Sequence, residues 1–186
     1  GGFDKFTWVT TAYLVASTTA VPIVGRMSDI YGRKRFYITG IVIFLIGSVL
    51  AGLSQTINQL IMFRAIQGLG GGVIMALSFV AIADLFPPDE RGKYQGLIAG
   101  VFGLSSVIGP TLGGFITDNL SWNWIFFVNL PVGVPVALLV VKLFPKSRPQ
   151  ESNEGRRLDY LGMVALVLGV VPLLLALSWG GVQYEW

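Results

Sequence analysis

Six apolar stretches, each long enough to cross a lipid bilayer, constrain the fold of this chain more than any other feature. A helix needs about 20 apolar residues to cross the hydrocarbon core, and a backbone inside that core must satisfy its own hydrogen bonds. The stretches therefore predict an all-α transmembrane protein with short connections. The predicted spans lie near residues 7–25, 36–54, 58–83, 94–117, 124–143 and 161–179.

The composition favours a membrane protein and argues against several other classes. Apolar residues make up 53% of the chain and charged residues 12%, whereas soluble domains have about 25% charged residues. Cysteine and histidine are absent, so the sequence offers no disulfide framework, no thiolate or imidazole metal site and no histidine-based catalytic triad. Phosphate-binding loops of the Walker type are absent too, so ATP-driven transport has no support. We expect neither enzymatic activity nor a cofactor nor a bound metal.

The basic residues predict how the chain is oriented in the membrane. Eleven of the 13 lie in links on one side, Lys5 lies on the other side, and Arg64 lies within a span. The side rich in lysine and arginine is predicted to be cytoplasmic, which places residue 1 outside. All five tryptophans fall at the outer ends of spans, where amphipathic rings favour the interface. Because the cations lie at helix ends and not along one face, we expect no nucleic-acid partner.

The links divide the chain into three predicted parts. Residues 1–143 hold five spans, which we expect to form a partial helical bundle. Residues 144–158 are polar and contain Pro145 and Pro149, so they predict a flexible cytoplasmic loop. Residues 159–186 hold one more span and the start of an external loop. The chain opens at Gly1 without a methionine or a signal peptide, and we expect it to be an internal part of a longer protein.

The link between the first two spans combines charges with glycines. Residues 25–35 read G-x-x-x-D-x-x-G-R-K-R, and both glycines fall at the predicted turn. A bare basic run would report only orientation, but here an acid lies four residues before an arginine. The segment resembles the signature loop between the second and third helices of the major facilitator superfamily. The resemblance implies a gating loop whose residues are Gly25, Asp29, Gly32, Arg33, Lys34, Arg35 and Asp84.

In that family the loop arginine bridges the loop acid and an acid at the end of the fourth helix, here Asp84. Asp84 ends a predicted helix whose C-terminus already carries partial negative charge, so it needs a compensating cation. The resemblance therefore implies a cytoplasmic latch of Asp29, Arg33 and Asp84, made and broken as two halves of a transporter rock. The alternative is a set of solvated charges that only set orientation, which is how we interpret Lys34 and Arg35.

Three further segments resemble parts of the same family. Residues 60–72 are similar to its fourth-helix motif, L-x-x-x-R-x-x-Q-G-x-G. Residues 124–133 and 159–162 look like the 14-spanning drug:proton antiporter branch. The fourth span resembles the antiporter motif, although Ser105 stands where that pattern has glycine; its glycines would permit close helix packing and its proline a bend. The residues of this antiporter-type helix are Gly96, Ser105, Gly109, Pro110, Gly113 and Gly114.

Arg64 lies well inside a predicted span, roughly 10 Å from its outer end at about 1.5 Å per residue. An arginine at mid-helix depth costs about 2.5–3.5 kcal/mol on insertion scales, so it needs a partner, a wet cavity or a route to the headgroups. We place it on a proton or substrate pathway with Gln67 and Gly68, which share its helix face. The alternative is an arginine that extends to the outer interface. No acid of the chain lies at similar depth, so we expect the proton-carrying carboxylate elsewhere in the protein.

Together these features predict a proton-coupled secondary transporter of the plasma membrane. The implied fold is a major-facilitator-type N-terminal helical bundle that lacks its first helix, followed by one linker helix. Its expected partners are a small-molecule substrate, protons, the lipid bilayer and the missing C-terminal half. The antiporter-type fourth span favours export of hydrophobic or cationic molecules by alternating access. A proton-coupled importer of a small metabolite, and a membrane receptor or assembly protein that transports nothing, are the alternatives.

Overall fold

The computed structural model describes residues 3–145 and 160–179, and the regular elements in these ranges are all α-helices. The predicted all-α transmembrane fold is confirmed. Five helical segments there are long and apolar enough to cross a membrane, the fifth formed by α5 and α6 together, and α7 adds a further apolar helix. Most of the predicted loop 144–158 lies outside the described residues, so the division into three parts stays a prediction. The helices are α1 (Phe3–Tyr31), α2 (Arg33–Gly52), α3 (Ile57–Leu85), α4 (Pro88–Asn119), α5 (Trp124–Phe127), α6 (Asn129–Leu143) and α7 (Tyr160–Trp179).

The connection between α1 and α2 is the single residue Gly32. Gly25, which we expected at the turn, instead lies within α1, because residues 26–31 contain no helix breaker and the helix continues to Tyr31. The Ser28 hydroxyl donates to the Gly25 carbonyl at 2.8 Å, and the Gly32 amide donates to the Ser28 carbonyl at 2.9 Å. Gly32 has φ +99°, a left-handed conformation that residues with a Cβ rarely adopt. The chain therefore leaves α1 at Gly32, and α2 begins at Arg33.

The fifth predicted span consists of two helices, α5 and α6, which meet at Val128. Proline has no amide hydrogen, and Pro131 cannot donate to the Phe127 carbonyl four residues earlier. The regular hydrogen bonding is therefore interrupted between Phe127 and Asn129. The two helices still form one segment of membrane-spanning length, Trp124–Leu143.

α3 packs directly against α1 and α2 through glycines. Gly68 approaches α1 so closely that an added Cβ would lie 2.5 Å from the Tyr13 carbonyl oxygen. Gly47 of α2 approaches α3, where an added Cβ would lie 2.6 Å from the Gln67 Cα. Small residues let helix backbones meet in this way, so that van der Waals contact between main chains replaces side-chain packing. The buried hydrophobic cluster between α1 and α3 consists of Ala20, Val24, Val73 and Leu77.

Replacing Gly68 by alanine should destabilise the protein, whereas the same change at Gly92 should not. The new Cβ at Gly68 would meet backbone atoms that move only if a helix shifts, and such overpacking costs about 1–3 kcal/mol. An added Cβ at Gly92 would meet no atom of the described residues within 4 Å, and alanine is favoured over glycine inside a helix by about 0.5–1 kcal/mol. Thermal unfolding of both variants in detergent measures the difference. An unchanged midpoint for Gly68→Ala would contradict the close contact of α1 and α3.

α4 and α7 lie at the periphery of the described chain. No residue of α4 is buried by the described residues, and this helix contacts α3 and α5. An added Cβ at Gly96, Gly109, Gly113 or Gly114 would meet no described atom within 4 Å, so the close helix packing expected for this face stays a prediction. Pro110 lies within α4 without ending it. α7 packs on α1, and an apolar groove of about 360 Å³ is lined by residues of α1, α3 and α7.

Candidate functional site

At the end of the bundle that we predict to be cytoplasmic, Arg33 joins acids from two other helices. Its Nη2 and Nε donate to Asp29 Oδ1 at 2.8 and 3.1 Å, and its Nη1 forms an ion pair with Asp84 Oδ2. The Arg33 side chain is 26% exposed and each acid 38% exposed, so water partly reaches the cluster. From the first residue of α2, Arg33 thus ties the last turns of α1 and α3 together. The bridge implied by the resemblance is present, and its gating role stays a prediction.

A second arginine, Arg91, supports the same end of α3. Its Nη2 donates to the Ala83 carbonyl at 2.7 Å and its Nε to the Phe86 carbonyl at 3.1 Å. The last carbonyls of a helix have no partner within the helix, so Arg91 satisfies groups that the helix itself leaves open. With Arg33 on Asp84, two cations offset the partial negative charge at this C-terminus. Arg91 is one of the eleven cations that predicted the orientation of the chain, and the sequence contains no pattern that predicts this contact.

Lys34 makes a specific contact, so the prediction that it is only a solvated charge was wrong. Its Nζ donates to the carbonyl of Phe144, the residue that follows the last turn of α6, at 2.7 Å. The Tyr37 ring lies 5.8 Å from the Phe144 ring, and the Tyr37 hydroxyl is 2.9 Å from Ser78 Oγ. The start of α2 therefore holds α6 as well as α1 and α3. The Arg35 side chain, in contrast, is exposed.

Within the membrane-spanning part of α3, Arg64 belongs to a hydrogen-bonded network that reaches four helices. Its Nη1 donates to Gln67 Oε1 at 2.6 Å, and its Nε donates to the Val9 carbonyl of α1 at 3.4 Å. Gln67 Nε2 donates to Ser48 Oγ of α2 at 2.5 Å. Asn129 Nδ2 of α6 donates to the same oxygen at 2.9 Å. We call Arg64, Gln67, Ser48 and Asn129 the polar network.

Two aromatic rings flank the Arg64 guanidinium. Its Cζ lies 4.2 Å from the centroid of the Tyr13 ring and 5.9 Å from that of Phe126. The face of an aromatic ring attracts a cation by about 0.5–2 kcal/mol, more when water is excluded. Among the described residues, Arg64 thus contacts only neutral groups, namely carbonyl oxygens and aromatic rings. Arg64 donates to Gln67, which lies almost one helical turn further from the outer end of α3. This bond favours a place for Arg64 on a proton or substrate pathway over a side chain that extends to the outer interface.

The structure brings the predicted site residues into two separate groups. The latch and the polar network lie roughly 30 Å apart, since Arg64 and Asp84 are both in α3 and a helix rises about 1.5 Å per residue. Gly68 lies beside Arg64 and faces Tyr13. The antiporter-type residues, Ser105 included, belong to α4 and join neither group within the described chain. Sequence reasoning missed Ser48 and Asn129, whose signal is a polar residue inside an otherwise apolar stretch.

Comparison with known proteins agrees with this arrangement. The family model of the Major Facilitator Superfamily matches residues 2–184. Multidrug resistance protein 3 of Bacillus subtilis (strain 168) is 48% identical over 186 residues, which cover 100% of this chain and 36% of that protein. Multidrug transporter protein MdtP of the same organism is 44% identical over 186 residues, which cover 100% of this chain and 34% of that protein. Efflux pump FUS6 of Gibberella fujikuroi is 38% identical over 190 residues, which cover 100% of this chain and 34% of that protein.

The chain thus spans about a third of the length of these relatives. The family match extends over nearly all of its residues, and the helices and the Arg33 bridge have the arrangement that the family implies. This chain belongs to the major facilitator superfamily of integral, multi-pass membrane transporters.

Proposed function

We propose that this chain is part of a proton-coupled antiporter of the plasma membrane, which exports hydrophobic or cationic small molecules by alternating access. The observation that carries the proposal is Arg64, a cation inside a membrane-spanning helix that the described residues surround with neutral partners. The relatives named Multidrug resistance protein 3, Multidrug transporter protein MdtP and Efflux pump FUS6 support export as the direction.

The Arg64 guanidinium has donors to spare for a transported or proton-carrying group. Two of its five N–H donors are directed to Gln67 and Val9. The others suit an anion, such as a carboxylate on a helix beyond the described residues. A cation close to a carboxylate favours the ionised form and so lowers its affinity for protons. Protonation would weaken that pairing, and this step would couple proton movement to a change in the protein.

The latch of Asp29, Arg33 and Asp84 suits a gate because it is partly exposed. Ion pairs with this exposure contribute only about 0–1 kcal/mol each. A cluster of this strength biases one conformation over another without locking the protein in it. We therefore assign to the latch the opening and closing of the cytoplasmic side.

The transport cycle that we propose needs more polypeptide than this chain. Alternating access involves two helical bundles that move about a central site, and the described helices form one group around α3. Since the relatives are about three times as long, we propose that a second bundle and the proton-carrying acid come from the rest of the protein.

Ethidium efflux from cells that lack their own multidrug exporters tests the proposal. Cells with the full-length protein should accumulate less ethidium than control cells, and a protonophore should remove the difference. Residues 1–186 alone should insert into the membrane but move no dye. Proton-driven uptake would instead favour the importer, and the absence of any transport at matched expression would favour the receptor or assembly protein. Saturable, gradient-dependent transport by residues 1–186 would contradict the need for a second bundle.

A further inference from the structure

We infer that Ser48 and Asn129 are positioning residues, which hold Arg64 in place through Gln67. The expected effect on transport rests on the proposed function, whereas the expected effect on the position of the Arg64 side chain rests on geometry alone. Four side chains from α2, α3 and α6 form one continuous chain of hydrogen bonds, with donor–acceptor distances of 2.5 to 2.9 Å. Ser48 lies at its centre, where bonds from α3 and α6 meet on one oxygen of α2.

The chemistry of the donors fixes the direction of every bond. A guanidinium can only donate, so the Gln67 side-chain oxygen must face Arg64 and its amide nitrogen must face Ser48. Asn129 also donates to Ser48, so both lone pairs of the hydroxyl oxygen are occupied. If the Gln67 amide flipped, its NH2 group would face the cation and its oxygen would face Ser48. The network therefore specifies a single arrangement around Arg64.

Burial makes this arrangement hard to change. Ser48 is 0% exposed and Gln67 2% exposed, so water is not available to replace a lost partner. The main chain of Gln67 is also fixed, because Gly47 lets α2 approach to within contact of it. Without the Ser48 hydroxyl, the buried Gln67 side-chain nitrogen would lose its acceptor, and an unpaired buried donor is costly.

The α5–α6 junction reaches Arg64 by two routes. Asn129, the first residue of α6, donates both to Ser48 and to the Phe126 carbonyl at 3.2 Å. Phe126 in turn places its ring 5.9 Å from the Arg64 Cζ. The α5–α6 junction thus places one ring near the cation and one amide on Ser48, which is linked to the cation through Gln67. Neither amide can take up or release a proton near neutral pH, so the network orients Arg64 and does not conduct protons through its own groups.

The experiment compares Ser48→Ala and Asn129→Ala with Ser54→Ala in the full-length protein. Ser54 is the matched control, because it is also a buried serine of the same region, but its hydroxyl donates to the Ala51 carbonyl at 2.7 Å outside the network. Modification of Arg64 by phenylglyoxal, followed by mass spectrometry of the peptide, reports whether its side chain is held. We expect the rate to rise severalfold in Ser48→Ala and Asn129→Ala and to stay unchanged in Ser54→Ala.

Transport gives a second, independent measurement. Ethidium efflux should fall about tenfold in Ser48→Ala, because a small misplacement of a reacting group has effects of this order or larger. In a Gln67→Leu background, which already breaks the link to Arg64, Ser48→Ala should cause little further loss. The same Arg64 modification rate in all variants and wild type would overturn the inference, whether or not the protein exports ethidium. Absence of efflux by wild type would instead overturn the proposed function and leave the modification result valid.

Discussion

Arg64→Ala in the full-length protein should abolish proton-gradient-dependent ethidium efflux, lowering its rate by roughly 100-fold or more if the guanidinium acts on the group that carries the proton. Alanine removes the positive charge and its bonds to Gln67 and Val9, together with the contacts to two aromatic rings. Arg64→Lys should retain a fraction of the activity, since an ammonium supplies the charge without the planar geometry of the guanidinium. Initial rates across a series of imposed pH gradients measure both effects.

Lys93→Ala provides the control for loss of one positive charge, because Lys93 is an exposed residue near the N-terminal end of α4. It should leave the rate within about twofold of wild type, as exposed charges contribute little. If Arg64→Ala kept the dependence of efflux on the pH gradient, Arg64 would have no place on the proton pathway. The alternative of an arginine extended toward the headgroups would then be preferred.

Arg33→Ala should lower efflux by about tenfold and Asp29→Asn by about fivefold or less, while the amount of protein in the membrane stays near that of wild type. Arg33→Ala removes the bridge between α1 and α3, whereas Asp29→Asn removes one of its two acids. A tenfold change corresponds to about 1.4 kcal/mol, which two partly exposed ion pairs can supply together. Efflux measured at matched expression, with membrane fractions quantified separately, distinguishes gating from insertion.

Arg35→Ala is the matched control for the latch. It also removes one arginine charge, but Arg35 lies two positions after Arg33 and its side chain is exposed. If only the number of cations mattered, Arg35→Ala and Arg33→Ala would behave alike. Wild-type efflux by both Asp29→Asn and Arg33→Ala would show that the latch has no part in transport. These residues would then only set the orientation of the chain.

Much of the fold followed from apolar length and from a few charges. Spans were predictable because lipid leaves a backbone few alternatives to the helix. The meeting of Arg33 with Asp84 came from a family resemblance, since 51 positions separate the two residues and no local pattern connects them. Gly25 was misplaced because glycine also occurs within helices, and here α1 continues past it to Tyr31.

The polar network was beyond sequence reasoning for a different reason. Ser48 and Asn129 are single small polar residues in apolar stretches, where many such residues bond only to their own helix. Their partnership depends on how α2, α3 and α6 are placed side by side, and that placement comes from backbone contacts such as Gly47 against Gln67. Lys34 was misread likewise, because its acceptor is a main-chain carbonyl 110 positions away.

The glycine contacts among α1, α2 and α3 have a mechanical consequence. Where main chains meet at Gly47 and Gly68, no layer of flexible side chains lies between the helices to absorb a displacement. Helices packed this closely transmit strain and do not deform smoothly. We therefore expect these three helices to move together as one rigid body. A tilt that begins at the latch would then be felt at Arg64, roughly 30 Å away, in the same step.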